Sequence, residues 1–272
     1  MESLLTDPSR DKAIQFLITS GLENLSPPQG FNQRPLTAFM CDAMRNRYAT
    51  FANRRVAAEC LVKLDLKMTA LHTVKNPEQP LGVMLAARSI GAYRAACEHA
   101  LAGQVAEVFP LARACIENAA YAFYLAGDDA LAEAWLRRHE SEDARRKMRG
   151  KNWQHTTIRD AVKAKSEEIG RLFGELYEHF IDYGGHPNER AISLNAHTVR
   201  AEELRIEQRL LHGNGPELVF GLQAAMDAGS CALALLRLVF SSELGADEEE
   251  DRQLRATLAD NRRAASGVEG DG

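Results

Sequence analysis

The sequence predicts an all-α fold, a helical bundle, on three observations. Apolar residues recur at intervals of three and four over most of the chain, which is the period of an amphipathic α-helix. The alternation of apolar and polar residues that marks a half-buried strand is nearly absent. Of the 272 residues, 45% are hydrophobic, which is enough for a large buried core. We therefore expect one bundle with additional helices on its N-terminal side.

Composition argues against several classes of protein. A net charge of −5 is unlike the basic excess of proteins that bind nucleic acid non-specifically. The five cysteines are widely spaced, without a C-x-x-C pair, and most lie among apolar residues, as small buried side chains do. The first residues, MESLLTDPSRDK, carry acids and a proline where a secretory signal needs a basic start and an apolar run. We expect a cytoplasmic protein.

The most apolar segment is Leu218–Phe240. It is interrupted by Gln223, Asp227 and Arg237, so it lacks the run of about 18 uncharged residues that a membrane-spanning helix requires. We expect no membrane association, and we interpret the segment as a buried helix of the bundle.

The N-terminal part, residues 1–35, is expected to form a helix and a Pro/Gly-rich connector. Asp7 followed by Pro8 is typical of an N-cap with proline at the first helical position. From Leu36 to Val74 the helical period predicts one long helix, or two with a break near Asn53.

The middle of the chain predicts a succession of helices. Leu81–Ala102 is rich in Ala and Gly, and small side chains allow a neighbouring helix to approach closely. The stretch Glu167–Tyr183 has the clearest apolar stripe, with Ser166 as its N-cap. Further helices are expected over Val105–Ala126, over Asp129–Met148 and over a short stretch that ends near Lys165, after a connector over Gly150–Thr157.

Towards the C-terminus the pattern is less uniform. Ala191–His212 is ambiguous, because Glu202–Arg209 fits either a helix or an exposed strand. Pro216 begins the long apolar helix. We expect residues 36–244 to form a single bundle domain and residues 245–272, which open with an acidic run, to form a flexible tail.

A candidate site begins with Arg113 and Glu117, which are four residues apart and therefore neighbours on one helix face. Tyr121 and Tyr124 continue that face, and the rest of the helix is almost wholly apolar. Burying an ion pair is costly, so a third polar group or a ligand should satisfy it. The alternative is a purely structural salt bridge.

His186 is the predicted third group, because it follows the C-terminus of the Glu167–Tyr183 helix, where exposed carbonyls favour an imidazolium. Tyr183 and Asn188 add hydrogen-bonding groups to the same turn. A contact between Glu117 and His186 would form a compact polar pocket. The alternative is a helix-capping role for His186 without chemistry.

Two motifs carry a resemblance to a known class of proteins. LARACIENAAYAFYLAG, followed by YGGHPNE, resembles a group of uncharacterised bacterial helical proteins within the HEPN-like class. The resemblance covers Leu81–Phe240 and implies an antiparallel helical bundle that is commonly a homodimer. The better-known members are metal-independent ribonucleases or toxin and antitoxin partners, with an Arg and a His separated by four to six residues.

Arg190 and His197 fit that spacing, and on a helix they would lie nearly two turns apart on one side. They are the candidate catalytic pair of an endoribonuclease. The class usually has Asn, Asp or His after the Arg, however, and this chain has Ala191. Chance spacing is the alternative.

Basic residues on the predicted helix Asp129–Met148 and just after it could contact an RNA backbone, although a solvated helix face is the usual interpretation. The remaining histidines show no metal-ligand spacing, and no cofactor motif is present, so no metal or cofactor is expected. We interpret the chain as a binding or regulatory module with a pocket formed by Arg113, Glu117, Tyr183, His186 and Asn188. A metal-independent endoribonuclease of the toxin or defence type is the alternative. The basic residues are Arg137, Arg138, Arg145, Arg146, Lys147 and Arg149.

Overall fold

A computed structural model describes residues 29–74, 78–185, 189–200 and 204–245, together with the single residues 256 and 259. Within these residues the fold is an all-α helical bundle, as predicted, with one short β-hairpin. The α-helices are α1 Pro35–Asn53, α2 Arg55–Met68, α3 Pro80–Ala102, α4 Val105–Ala126, α5 Asp129–Leu136, α6 Glu142–Lys147, α7 His155–Lys165, α8 Glu167–Phe180, α9 Glu189–Asn195, α10 Pro216–Arg237 and α11 Ser241–Leu244.

Shorter elements link these helices. Two 3₁₀ turns cover Thr69–Thr73 and Lys151–Trp153, and a π-helical turn over Ile181–Gly185 continues α8. The hairpin pairs β1, Ala196–Arg200, with β2, Leu204–Gln208, in antiparallel register. The predicted N-terminal helix lies outside the described residues, and so does the predicted C-terminal tail apart from Gly245 and the single residues 256 and 259.

The chain divides into two compact units, Met1–Asp42 and Ala43–Gly272. The first contains a turn and the start of α1 within its described residues. The second contains the helices that form the candidate site.

Helix α4 is the centre of the second unit. It packs against α3, α10, α7 and α8, and against the Ile181–Gly185 turn. Its side chains Val108, Phe109, Cys115 and Ile116 are completely buried. Helix α4 is thus the most widely contacted helix of this unit, and α3, which covers the small-residue segment Leu81–Ala102, is one of the helices that pack against it.

Helix α10 is the other deeply buried helix. By length and composition it could cross a membrane, but 72% of its most apolar window is buried in the bundle, as in the core helix of a soluble protein. Its Gly229 allows the ring of Tyr93 to approach so closely that a Cβ at this position would lie 2.5 Å from the ring. The interpretation of this segment as a buried bundle helix is confirmed.

Helices α7 and α8 form a tight helical hairpin joined by Ser166. The Ser166 N–H donates to the Val162 carbonyl at 2.8 Å and so ends α7. The Ser166 hydroxyl accepts from the Ile169 N–H at 3.4 Å, which is the N-cap predicted for the following helix. Gly170 lets the two helices touch, because a Cβ there would lie 2.6 Å from the backbone nitrogen of Lys163.

One segment differs from the sequence predictions, and two others resolve what they left open. The expected single helix over Asp129–Met148 is two short helices, because Ser141 adopts an extended backbone and its hydroxyl caps a new helix at the Ala144 N–H. The ambiguous segment Glu202–Arg209 contains strand β2, whose side chains are exposed throughout. The break expected near Asn53 is found at Arg54.

Candidate functional site

The site is built on the face of α4 that carries Arg113, Glu117 and Tyr121. Arg113 Nε lies 3.8 Å from Glu117 Oε2, and the two side chains are 27% and 39% exposed. The same R-x-x-x-E spacing on α2 gives a true hydrogen bond, because Arg55 Nε lies 2.7 Å from Glu59 Oε1. The Arg113–Glu117 pair is therefore more buried and less tightly joined than its surface counterpart.

Arg113 is directed towards α8. Its Nη2 donates to the phenolic oxygen of Tyr177 at 3.2 Å, and its Cζ lies 5.0 Å from the centre of the Tyr177 ring. A guanidinium beside an aromatic ring gains a cation–π attraction in addition to the hydrogen bond. Tyr177 is thus a polar group beside the ion pair.

His155, the first residue of α7, completes the cluster. Its ring stacks on Tyr177 with 3.7 Å between ring centres and 9° between planes. Its Nδ1 lies 3.9 Å from Glu178 Oε1, and its Nε2 is buried without a hydrogen-bond partner among the described residues. A buried imidazole nitrogen without a partner is uncommon in a structural role.

A pocket of about 60 Å³ lies among α4, α7 and α8. Glu117 and Tyr121 line it from α4, and Trp153 lines it from the 3₁₀ turn that precedes α7. The Tyr121 hydroxyl donates to the Trp153 carbonyl at 3.5 Å, at the limit of a hydrogen bond. The complete lining is Glu117, Ala120, Tyr121, Trp153, His155, Ile158, Phe173 and Tyr177.

Burial governs the protonation of these groups. Desolvation raises the pKa of Glu117, and the nearby Arg113 guanidinium opposes that shift. Desolvation lowers the pKa of His155, and Arg159 and Arg113 lower it further, against the opposing charge of Glu178. Desolvation also raises the pKa of both Tyr121 and Tyr177, with a further rise from the Glu117 charge. His155 and the two tyrosines are consequently neutral near pH 7.

Tyr183, a predicted pocket residue, lies in a separate aromatic cluster. Its ring stacks on Phe109 at 5.2 Å and meets Phe220 edge-on at 4.9 Å. Arg190 Cζ lies 5.6 Å from the same ring. His186 and Asn188, the other two predicted residues of this turn, lie outside the described residues.

The candidate catalytic pair is not on one helix. Helix α9 ends at Asn195, and His197 is part of strand β1, opposite Glu207. The alignment of Arg190 with His197 requires a helix through both residues, and that condition is not met because the chain changes from helix to strand between them. Arg190 itself pairs with Asp182 at 2.9 Å.

The basic residues after α5 are partly engaged with their own neighbours. Arg137 pairs with Glu133, and Arg146 pairs with Asp143 at 2.8 Å. Arg138 lies 3.7 Å over the ring of Trp135. The exposed cations that remain at this surface are Arg145, Lys147 and Arg149.

Three site residues were missed in the sequence analysis. Tyr177 was assigned to the apolar stripe of its helix, and its hydroxyl gave no separate indication of a site. His155 and Trp153 fell in the segment assigned as a connector. Their proximity to Glu117 arises from tertiary packing alone, so no local pattern could have identified them.

Among the described residues, no group of three His, Cys, Asp or Glu side chains is arranged to hold a metal ion. No protein-family model matches the chain, and no curated protein or solved structure shows significant similarity to it.

Proposed function

We propose that this chain is a helical binding or regulatory module of the HEPN-like class, and that its ligand occupies the pocket among α4, α7 and α8. The observation that supports the proposal is that the Glu117 carboxylate lines an aromatic pocket and accepts no hydrogen bond from any donor in the described part of the chain.

A purely structural salt bridge is the poorer explanation. Exposed ion pairs contribute only about 0–1 kcal/mol even when they are well formed, and the 3.8 Å separation of Arg113 and Glu117 is beyond hydrogen-bonding distance. The partly buried carboxylate meanwhile loses hydration. Such an arrangement costs stability in the free protein, and a ligand that donates to Glu117 would offset that cost.

The proposal also includes a cytoplasmic location, a homodimer and contact with RNA through the surface of Arg145, Lys147 and Arg149. All five cysteines are free thiols, as is usual in a reducing compartment. The three exposed cations offer positive charge to the phosphates of RNA.

Sedimentation equilibrium tests the homodimer, and a strictly monomeric species would refute the homodimer part of the proposal.

The pocket is tested by NMR with small fragments. The chain contains two tryptophans, so the indole N–H of Trp153 reports on the pocket and that of Trp135, which lies under Arg138 outside the pocket lining, serves as the internal reference. Small amines, amides, alcohols and carboxylates are each titrated into the full chain. A saturable shift confined to Trp153 supports the proposal, and the absence of any such shift across the whole set refutes it.

A further inference from the structure

We propose that the group recognised in this pocket is a small ammonium group, that of a primary (singly alkylated) amine. This inference rests on the proposed function and gives its ligand a chemical class. It follows from the charge of the lining, its aromatic side chains, the volume of the pocket and the state of the neighbouring Arg113 and His155.

The lining carries one formal charge near neutral pH, that of Glu117. Two other oxygens of the lining residues are the Tyr121 hydroxyl and the Trp153 carbonyl, which are 3.5 Å apart. The pocket thus offers a carboxylate and further oxygen acceptors. An ammonium group, with up to three donors and a positive charge, matches this set, whereas an anion would be repelled by Glu117.

The walls favour a cation as well. Four aromatic side chains line the pocket, and the faces of such rings attract positive charge, by up to about 2 kcal/mol when water is excluded. Neutral apolar groups would also fit such walls, but they would leave Glu117 without a partner. The four rings are those of Tyr121, Trp153, Phe173 and Tyr177, of which Tyr177 is already in contact with His155 and Arg113.

The volume admits a small ammonium group. About 60 Å³ is several times the ~10–15 Å³ that a cavity needs to hold one water molecule. An ammonium with one or two carbon atoms fits this space. A quaternary ammonium with four methyl groups has no N–H and cannot donate a hydrogen bond to Glu117, so the pocket should discriminate between these cations by hydrogen bonding.

The basic side chains of Arg113 and His155 do not neutralise Glu117 fully. The Nη2 of Arg113 is engaged with Tyr177, and the Nε stays 3.8 Å from the carboxylate. His155 on α7 is neutral near pH 7, because burial lowers its pKa. Tyr121 on α4 and Tyr177 on α8 are also neutral. The Glu117 charge is consequently only partly compensated.

The test uses ethylammonium chloride against its neutral isostere ethanol, with tetramethylammonium chloride and sodium acetate at matched ionic strength. The readout is the Trp153 indole shift with Trp135 as reference. We expect a saturable shift with ethylammonium alone. Glu117→Gln should weaken it by about tenfold or more. The matched variant Glu59→Gln, from the exposed pair on α2, should bind as the wild type does.

A second measurement needs no variant. Ethylammonium binding to the wild type should weaken as the pH falls through the raised pKa of Glu117, because protonation removes the carboxylate charge. Equal shifts with ethanol, or undiminished binding by Glu117→Gln, would refute the ammonium class and leave the binding pocket standing. No Trp153 shift with these compounds, or with any of the fragments above, would refute the proposed function itself.

Discussion

Replacing Gly170 with alanine tests whether the close α7–α8 contact shapes the pocket. The added Cβ would lie 2.6 Å from the Lys163 nitrogen and 2.7 Å from its Cα. Both are backbone atoms, so the helices must separate. Because Tyr177 is on α8 and His155 is on α7, their 3.7 Å ring stacking would separate as well.

A matched control isolates the size of this effect. Gly91 lies within α3, is exposed, and would meet no atom within 4 Å if a Cβ were added. Both substitutions gain about 1 kcal/mol of helix propensity. Only Gly170→Ala also suffers the overpacking cost of about 1–3 kcal/mol. The difference in unfolding free energy between the variants is therefore that cost alone.

Urea unfolding followed by circular dichroism measures the difference directly. In thermal unfolding, the same difference in free energy lowers the Tm of Gly170→Ala below that of Gly91→Ala, by roughly 2–4 °C for each kcal/mol. The Trp153 indole signal should move in Gly170→Ala and stay in place in Gly91→Ala. If the two variants unfold at the same urea concentration, the close contact does not hold the helices as described.

Three further predictions concern the charged residues. Glu117→Gln should be more stable than the wild type, by an amount that grows as the pH rises from about 4.5 and levels off above the pKa of Glu117 in the folded protein. The reason is that a carboxyl group whose pKa is raised by folding makes the wild type lose stability as the pH rises from the unfolded to the folded pKa. Urea unfolding at several pH values measures this difference in stability, and a difference that does not change with pH would contradict the prediction. A double-mutant cycle of Arg113→Gln and Tyr177→Phe should give a coupling energy of about 0.5–3 kcal/mol, whereas strict additivity would show that the 3.2 Å contact is without energetic effect. Single-stranded RNA incubated with the protein and EDTA should stay intact, because Arg190 and His197 lie on different elements; cleavage that His197→Ala abolishes would establish the ribonuclease alternative.

Helices were predictable where their ends are marked by local chemistry. Val105–Ala126 ends at Gly127, and the N-cap Ser166 marks the start of α8. The split between α5 and α6 was not predicted, since the cap at Ser141 lies inside a run of charged residues that fits one helix equally well. The hairpin was left open because its strands are exposed and carry no buried alternation.

Only the part of the candidate site that lies on a single helix could be predicted from the sequence. Arg113 and Glu117 are neighbours by helical geometry, so their pairing follows from the sequence. Tyr177 and His155 come to the pair from other helices, and their positions depend on how α7 and α8 dock on α4. The polar role of Tyr177 was hidden because its ring also belongs to an apolar stripe.

The one-residue link at Ser166 has a consequence for the order of folding. Contacts between segments that are close along the chain form quickly, because little loop entropy opposes them. The α7–α8 hairpin is such a unit, and we expect it to bring His155, Phe173 and Tyr177 together before α4 is in place. Glu117 and Tyr121 join only when this hairpin docks, so the pocket exists in the docked state alone. An amine that binds there would slow undocking, and hydrogen exchange across α7 and α8 would decrease with its concentration.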